Sequence, residues 1–281
     1  MININEIKDL NKLKDFNIEL FGGHKMTKDT FTIFAGPCRV ESFEQCDIIA
    51  KSVQESGAQV FRAGAFKPCT APHCDWGMEK EGLEIISQIR EKYNMPVTTE
   101  AMDEEQLALV EPVADVVQIG TRNAQNYSFL RKLKKVQKPI FYKRGTWMNL
   151  RETLAGLEWI VYDEEEQKGN KNVMLCERGT VHFNNHMRWT LDYTIVPSVK
   201  EYANIPIVID ISHGTGGKGN TKYYKDLARA AVAVGADALM VEVHHTPELS
   251  VSDPDQALSL EEFKELVDYI RPVIEAVGKK L

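Results

Sequence analysis

Eight short apolar runs, each closing on a residue able to hold an anion, a metal or a carbonyl, recur along the 281-residue chain at steps of 20 to 37 residues. They begin at Phe31 (FTIFAG), Gln59 (QVFRAG), Pro96 (PVTTE), Val116 (VVQIG), Pro139 (PIFYKR), Asn172 (NVMLCER), Pro206 (PIVIDIS) and Ala238 (ALMVEVHH). Strands buried on both faces of a parallel sheet read as such near-continuous apolar runs. Between them, segments such as SFEQCDIIAKSVQES, EKEGLEIISQIREKY, DEEQLALVEPV and SLEEFKELVDYIRPVIEAV place apolar residues at three- and four-residue steps, the period of a helix packed on one face. Several open on Ser or Asp with an acid in the first turn, as helix starts do. The alternation predicts an α/β fold, a (β/α)8 TIM barrel, whose strand C-termini converge on one face. Cys38, Arg62, Lys67, Glu100, Arg122, Lys143, Arg178, Asp210, His213 and Glu242 stand at or just past those ends and are expected to share one site.

The length suits one barrel of roughly 250 residues, so residues 1–281 read as a single catalytic domain. Residues 1–30 form an extension in which FNIELFGGHKMTKDTFTIF alternates about Gly22 and Gly23, predicting an N-terminal β-hairpin that closes the barrel floor. No apolar stretch approaches the roughly 20 residues that span a bilayer, and MININEIKDLNKLKDF lacks the basic and apolar parts of a secretory signal. A cytoplasmic protein without membrane partners is expected, and five cysteines without regular spacing suit a reducing compartment. A net charge of -7 and the lack of a basic stripe argue against nucleic acid. Within that acidic chain, Arg62, Lys67, Arg122, Lys143, Arg144 and Arg178 predict a local positive field suited to a small, multiply charged anion.

Two constellations carry the chemistry. Cys38, His213, Glu242 and Asp253 offer a thiolate, an imidazole and two carboxylates, a mixed set able to hold a divalent metal ion (Mn, Fe, Zn or Co) with positions open for substrate. Singly, Cys38 reads equally as a small buried residue and His213 as a loop residue; together at strand ends they read as functional. Arg62, Lys67, Arg122, Lys143 and Arg178 form the second set. Five cations in one mouth call for an anionic ligand, and a phosphate with a carboxylate would balance them. His182 and His186 read as ordinary surface or packing histidines, Cys69, His73 and Cys74 lack an evident fourth zinc ligand, and His244 and His245 are expected to line the pocket. GTGGKGN lacks the ending of a nucleotide-binding loop and reads as a lid.

The motifs AGPCRVES from Ala35, FRAGAFKPCT from Phe61, QIGTRNAQN from Gln118, YKRG from Tyr142, LCERG from Leu175, DISHGTG from Asp210 and LMVEVH from Leu239 resemble the 3-deoxy-7-phosphoheptulonate (DAHP) synthases. The likeness is to the short type that includes 3-deoxy-octulosonate 8-phosphate (KDO8P) synthase, and it runs over residues 30–275. The resemblance implies a (β/α)8 transferase that condenses phosphoenolpyruvate with a phosphorylated aldose and releases phosphate. By the same resemblance Cys38, His213, Glu242 and Asp253 are the metal ligands. Arg62, Lys67, Arg122, Lys143 and Arg178 cradle phosphoenolpyruvate, and Thr70 joins the substrate-binding residues. Lys67 is the candidate for proton traffic at the aldehyde oxygen, with His213 or Glu242 orienting water. Metal-free KDO8P synthases carry Asn where Cys38 stands, so cysteine implies a metal enzyme. Homo-oligomers, dimers or tetramers, are implied, and no appended domain sensing aromatic amino acids is expected.

The pattern breaks on one side. The family's Lys-Pro-Arg-Thr, whose arginine grips the aldose phosphate, here reads Lys67, Pro68, Cys69, Thr70. A thiol does not replace a bidentate guanidinium, so His73, Lys218 or Lys222 substitutes, or the acceptor lacks that phosphate. His73 to Trp76, Thr146 to Met148 and the loop after Asp210 also depart. The expected reaction is condensation with erythrose 4-phosphate in the shikimate pathway of aromatic amino acid biosynthesis. The alternatives are the same chemistry on a different, unphosphorylated aldehyde in specialised metabolism, or a non-catalytic phosphoenolpyruvate-binding relative.

Overall fold

The structure, a computed structural model, describes residues 7–68, 71–73, 75–162, 169–183, 186–216 and 221–281. A hairpin of β1 (Asn17–Glu19) and β2 (Lys25–Thr27) precedes β3 (Thr32–Gly36), β4 (Val60–Arg62), β5 (Val97–Glu100) and β6 (Val116–Ile119). β7 (Ile140–Lys143), β8 (Val173–Glu177), β9 (Ile207–Asp210) and β10 (Ala238–Glu242) follow. β3 to β10 pair in parallel and close a barrel in which β10 meets β3, with Glu242 opposite Gly36. Each lies inside one of the eight apolar runs. The helices between them are α1 (Phe43–Ser56), α2 (Glu79–Tyr93), α3 (Glu104–Val110), α4 (Tyr127–Leu133), α5 (Leu150–Val161) and α6 (Ile195–Lys200). α7 (Ile211–Thr215) and α8 (Tyr224–Ala233) separate β9 from β10, and α9 (Leu260–Ala276) follows β10.

Local sequence sets these boundaries. Ser42, Asp103 and Asn149 each accept the backbone N–H three residues on, and Ser259 forms a reciprocal capping box with Glu262. No helix among the described residues is long and apolar enough to cross a membrane.

Side chains alternate across each strand, and the alternation sorts the core in two. Ile33, Ala35, Phe61, Val117, Ile140, Leu175, Ile209 and Leu239 point outward, into the layer beneath the helices. Phe34, Val60, Val116, Phe141, Met174, Cys176, Val208 and Met240 point inward and fill the barrel. The rings of Phe34 and Phe141 meet edge to face there, 5.2 Å between centroids. Ile18, Leu20 and Met26 of the hairpin segment join this inner cluster, so the hairpin does seal the floor. Ile18→Val is expected to cost about 1 kcal/mol of stability, read as a lower denaturant midpoint at unchanged slope. A neutral result would mean that the hairpin does not seal the barrel.

Candidate active site

The inward parity continues past the apolar layer and selects the site. Two residues beyond Val60, Val116, Phe141, Cys176, Val208 and Met240 come Arg62, Gln118, Lys143, Arg178, Asp210 and Glu242, and Glu100 ends β5. All except Asp210, which is fully buried, wall a cavity of about 720 Å³ at the strand C-termini. Cys38, Lys67, Arg122, His213 and Asp253 line the same cavity, so nine of the ten residues expected to bind metal or substrate meet there. The tenth, Thr70, lies outside the described residues, as do Cys69, Cys74 and Lys218. Gly120 makes the wall possible, because a Cβ there would strike the Glu100 carboxylate.

Parity also corrects two expectations. Arg144 follows inward Lys143 and therefore turns outward. It is not part of the positive field: its guanidinium is buried against Glu177 Oε2 at 2.7 Å and Asp192 Oδ2 at 2.9 Å. His244 and His245 do not wall the cavity. The chain has left β10 at Glu242, and His244 is buried with its Nε2 3.5 Å from Glu41, its ring stacked on His245.

The cavity cations divide by partner. Arg62 Nη1 donates to Glu242 Oε1 at 3.2 Å and to the Pro37 carbonyl at 3.0 Å. Lys67 Nζ lies 2.8 Å from Cys38 Sγ. Lys143 Nζ lies 2.8 Å from Asp210 Oδ2, which is also 2.8 Å from His213 Nδ1. Arg122 and Arg178 have no carboxylate partner among the described residues, and Arg178 Nε and Nη1 are buried without a hydrogen bond. Two guanidiniums are thus left for a ligand.

Burial opposes the charged forms of Asp210, Glu242, Lys67 and His213, and their partners decide the outcome. Burial works to raise Asp210, yet His213 and Lys143 hold it well below the usual carboxylate range. Burial likewise disfavours the Glu242 carboxylate, but Arg62, His213 and Lys67 outweigh it and keep it low. Burial would discharge Lys67; Cys38 and Glu242 hold it above its ordinary value instead. His213 is pushed down by burial, with Lys143 and Arg178 adding and Asp210 opposing. A neutral His213 donates Nδ1–H to Asp210 and leaves the Nε2 lone pair free, the arrangement in which a second carboxylate orients a ligating imidazole.

Ligand atoms of Cys38, Glu242 and Asp253 lie within 4.8 Å of one another. His213 is outside that group of three but lines the same cavity. Burial and Glu242 push the Cys38 thiol up, against Lys67 and Arg62. Asp253 sits at φ 51, a left-handed conformation that a non-glycine residue holds only when its surroundings demand it. A thiol, two carboxylates and a pre-oriented imidazole fit a divalent ion of intermediate softness.

Several wall residues escape a reading by strand ends alone. Gln118, whose Nε2 donates to Glu100 Oε2 at 3.0 Å, is inside its motif and recoverable by parity. Arg39, paired with Asp75, and Arg188 and Trp189, beyond β8, are brought in by loops. Backbone pairing of Thr180 with Thr190 places the last two, with Arg188 Nη1 3.9 Å from Asp253 Oδ1, and no spacing rule announces it.

A closed parallel barrel with a cationic, thiol- and carboxylate-bearing cavity at its strand C-termini defines an enzyme acting on small anions. Residues 15–276 match the DAHP synthetase I family, and the chain belongs to it. It is 41% identical over 260 residues to the phospho-2-dehydro-3-deoxyheptonate aldolase of Thermotoga maritima, covering 92% of this chain and 75% of the relative. Identity to the 2-dehydro-3-deoxyphosphooctonate aldolase of Fusobacterium nucleatum is 32%, covering 93% and 95%. The crystal structure of the Thermotoga maritima DAHP synthase superposes with a TM-score of 0.88 at 40% identity, covering 95% of this chain and 76% of that one. A truncated form of 3-deoxy-D-arabino-heptulosonate 7-phosphate synthase from Thermotoga maritima gives a TM-score of 0.84 at 39% identity, covering 95% of both chains. The chain is an enzyme of the DAHP synthase type, whose family joins phosphoenolpyruvate to a phosphorylated sugar by an aldol-type condensation.

Proposed function

We propose that this chain catalyses the metal-dependent condensation of phosphoenolpyruvate with erythrose 4-phosphate, yielding DAHP and inorganic phosphate. The observation that carries the reading is the division of the cations. Among the described residues Arg122 and Arg178 lack acid partners, while Arg62 and Lys143 are paired with carboxylates and Lys67 with the Cys38 thiol. A donor with a phosphate at one end and a carboxylate at the other is the ligand such a wall accepts.

Arg122, Arg178 and Lys143 bind the anionic ends of phosphoenolpyruvate and turn C3 of the enol toward the acceptor. Held by Cys38, Glu242, Asp253 and His213, a divalent ion (Mn, Fe, Zn or Co) would polarise the acceptor aldehyde as a Lewis acid. Lys67, kept charged in a buried setting, delivers a proton to the aldehyde oxygen as C3 bonds to the aldehyde carbon. Glu242, kept ionised, orients the water that adds at C2. Breaking the bond between C2 and the bridging oxygen then releases phosphate. Thr70 is proposed to contact the acceptor, and the whole chain to work as one catalytic domain within a homo-oligomer.

Cys69 favours a second reading, the same chemistry on a different acceptor, because no guanidinium stands at its place. Phosphate release from phosphoenolpyruvate with Mn and erythrose 4-phosphate tests the first. Rapid release that a chelator abolishes supports it. Turnover only with arabinose 5-phosphate or an unphosphorylated aldose moves the assignment to the second. Binding of phosphoenolpyruvate without turnover on any aldose would mark a non-catalytic relative.

A further inference from the structure

Arg178 is buried, carries two unpartnered nitrogens and, among the described residues, has no carboxylate bonded to it to orient it. What it does have is an aromatic face: its guanidinium carbon lies 4.8 Å from the centroid of the Trp189 ring. We propose that Trp189 is a positioning residue, an indole platform that aims Arg178 into the cavity. It rests on the reading of that cavity as the phosphoenolpyruvate site.

The physical case begins with charge. A carboxylate that oriented Arg178 would also neutralise it and compete with the incoming anion. The face of an indole attracts a guanidinium through its quadrupole and carries no formal charge. Trp189 therefore fixes the plane of the fork while leaving its hydrogen-bond donors and its charge for the ligand. The other buried cations need no such device, because Glu242, Cys38 and Asp210 hold Arg62, Lys67 and Lys143.

The platform is itself braced from both sides. Thr180 N donates to the Thr190 carbonyl at 2.9 Å and Thr190 N returns a bond at 3.1 Å, tying the chain after Arg178 to the chain after Trp189. Between them Gly179, at φ 95, leaves the space that a Cβ would take from the Trp189 side chain. Glu177 Oε1 accepts from Gly179 N at 2.7 Å, and Asp192 accepts from Arg144, so both strands of the clamp are anchored in the buried network below. The outer guanidinium of Arg188 lies 5.7 Å from the same ring, in the same cavity wall. The Trp189 indole nitrogen is buried without a hydrogen-bond partner among the described residues, so no protein hydrogen bond sets the ring in place.

Steady-state kinetics on Trp189→Leu, Trp189→Phe and Arg178→Gln tests this. Trp189→Leu, which keeps an apolar side chain and removes the ring face, is expected to raise KM for phosphoenolpyruvate about tenfold with kcat and the acceptor KM little changed. Trp189→Phe, which keeps a ring face, should recover most of that loss. An unchanged KM in Trp189→Leu while Arg178→Gln is impaired would overturn the platform and leave the donor assignment standing. Equal damage in Trp189→Phe and Trp189→Leu would overturn it as well, since the ring face would not be the agent. Normal phosphoenolpyruvate affinity in Arg178→Gln would remove the donor assignment, and this inference with it.

Discussion

Cys38→Ala is expected to abolish metal retention and to slow phosphate release on the order of a hundred- to a thousandfold, while phosphoenolpyruvate still binds. A Lewis acid that stabilises developing charge is worth several kcal/mol, and each 1.36 kcal/mol is a factor of ten. The separation of effects follows from geometry. Cys38 belongs with Glu242 and Asp253, whereas the cations free to hold the donor, Arg122 and Arg178, depend on neither. Cys38 also touches Lys67 at 2.8 Å, so its removal disturbs a second group. Metal content measured beside turnover distinguishes the two. If the variant keeps its metal and loses activity, the fault lies with Lys67 and the ligand assignment fails. Because metal binding must displace the thiol proton, and burial pushes the Cys38 thiol up, affinity for the ion should rise with pH through the neutral range.

The barrel was legible because its signal is repeated. Each apolar run carries a weak strand indication, but eight in order with helical periods between them leave few alternatives, and the family motifs fall on their ends. The site was legible to the same depth, for residues such as Arg62, Lys143 and Glu242 that the strands themselves deliver. Arg144 shows the limit. Adjacent positions on a strand face opposite ways, so reading YKRG as two cations for one cavity ignores the pleat. The apolar residues of that strand already contain the correction: Phe141 is interior, hence Lys143 is too, and Arg144 is not. Trp189 and Arg188 are a different case. Their place is fixed by a bridge between Thr180 and Thr190, across a loop whose length and path no local pattern encodes.

Arg144→Met is expected to destabilise the fold by about 3–5 kcal/mol, lowering Tm on the order of 10 °C. Glu177 is fully buried, and Arg144 is the only cation bonded to it among the described residues; Gly179 N at 2.7 Å and Asp192 N at 3.4 Å would remain as its donors. Breaking one member of a buried pair strands the other's charge, which costs more than the pair contributed. The sign of the pH dependence follows. Burial already raises the Glu177 carboxyl above its ordinary value, with Arg144 opposing, so the variant raises it further. An acid whose folded value exceeds its unfolded one favours the protonated form. Its penalty is absent below the unfolded value and grows as pH rises through the folded one. The deficit of Arg144→Met should therefore be largest at neutral and alkaline pH and shrink toward acid, and Arg144→Met combined with Glu177→Gln should regain much of the loss at neutral pH. A deficit that stays constant with pH and survives in the double variant would assign the cost to lost packing of the arginine stem, and the carboxylate would not be the stranded group.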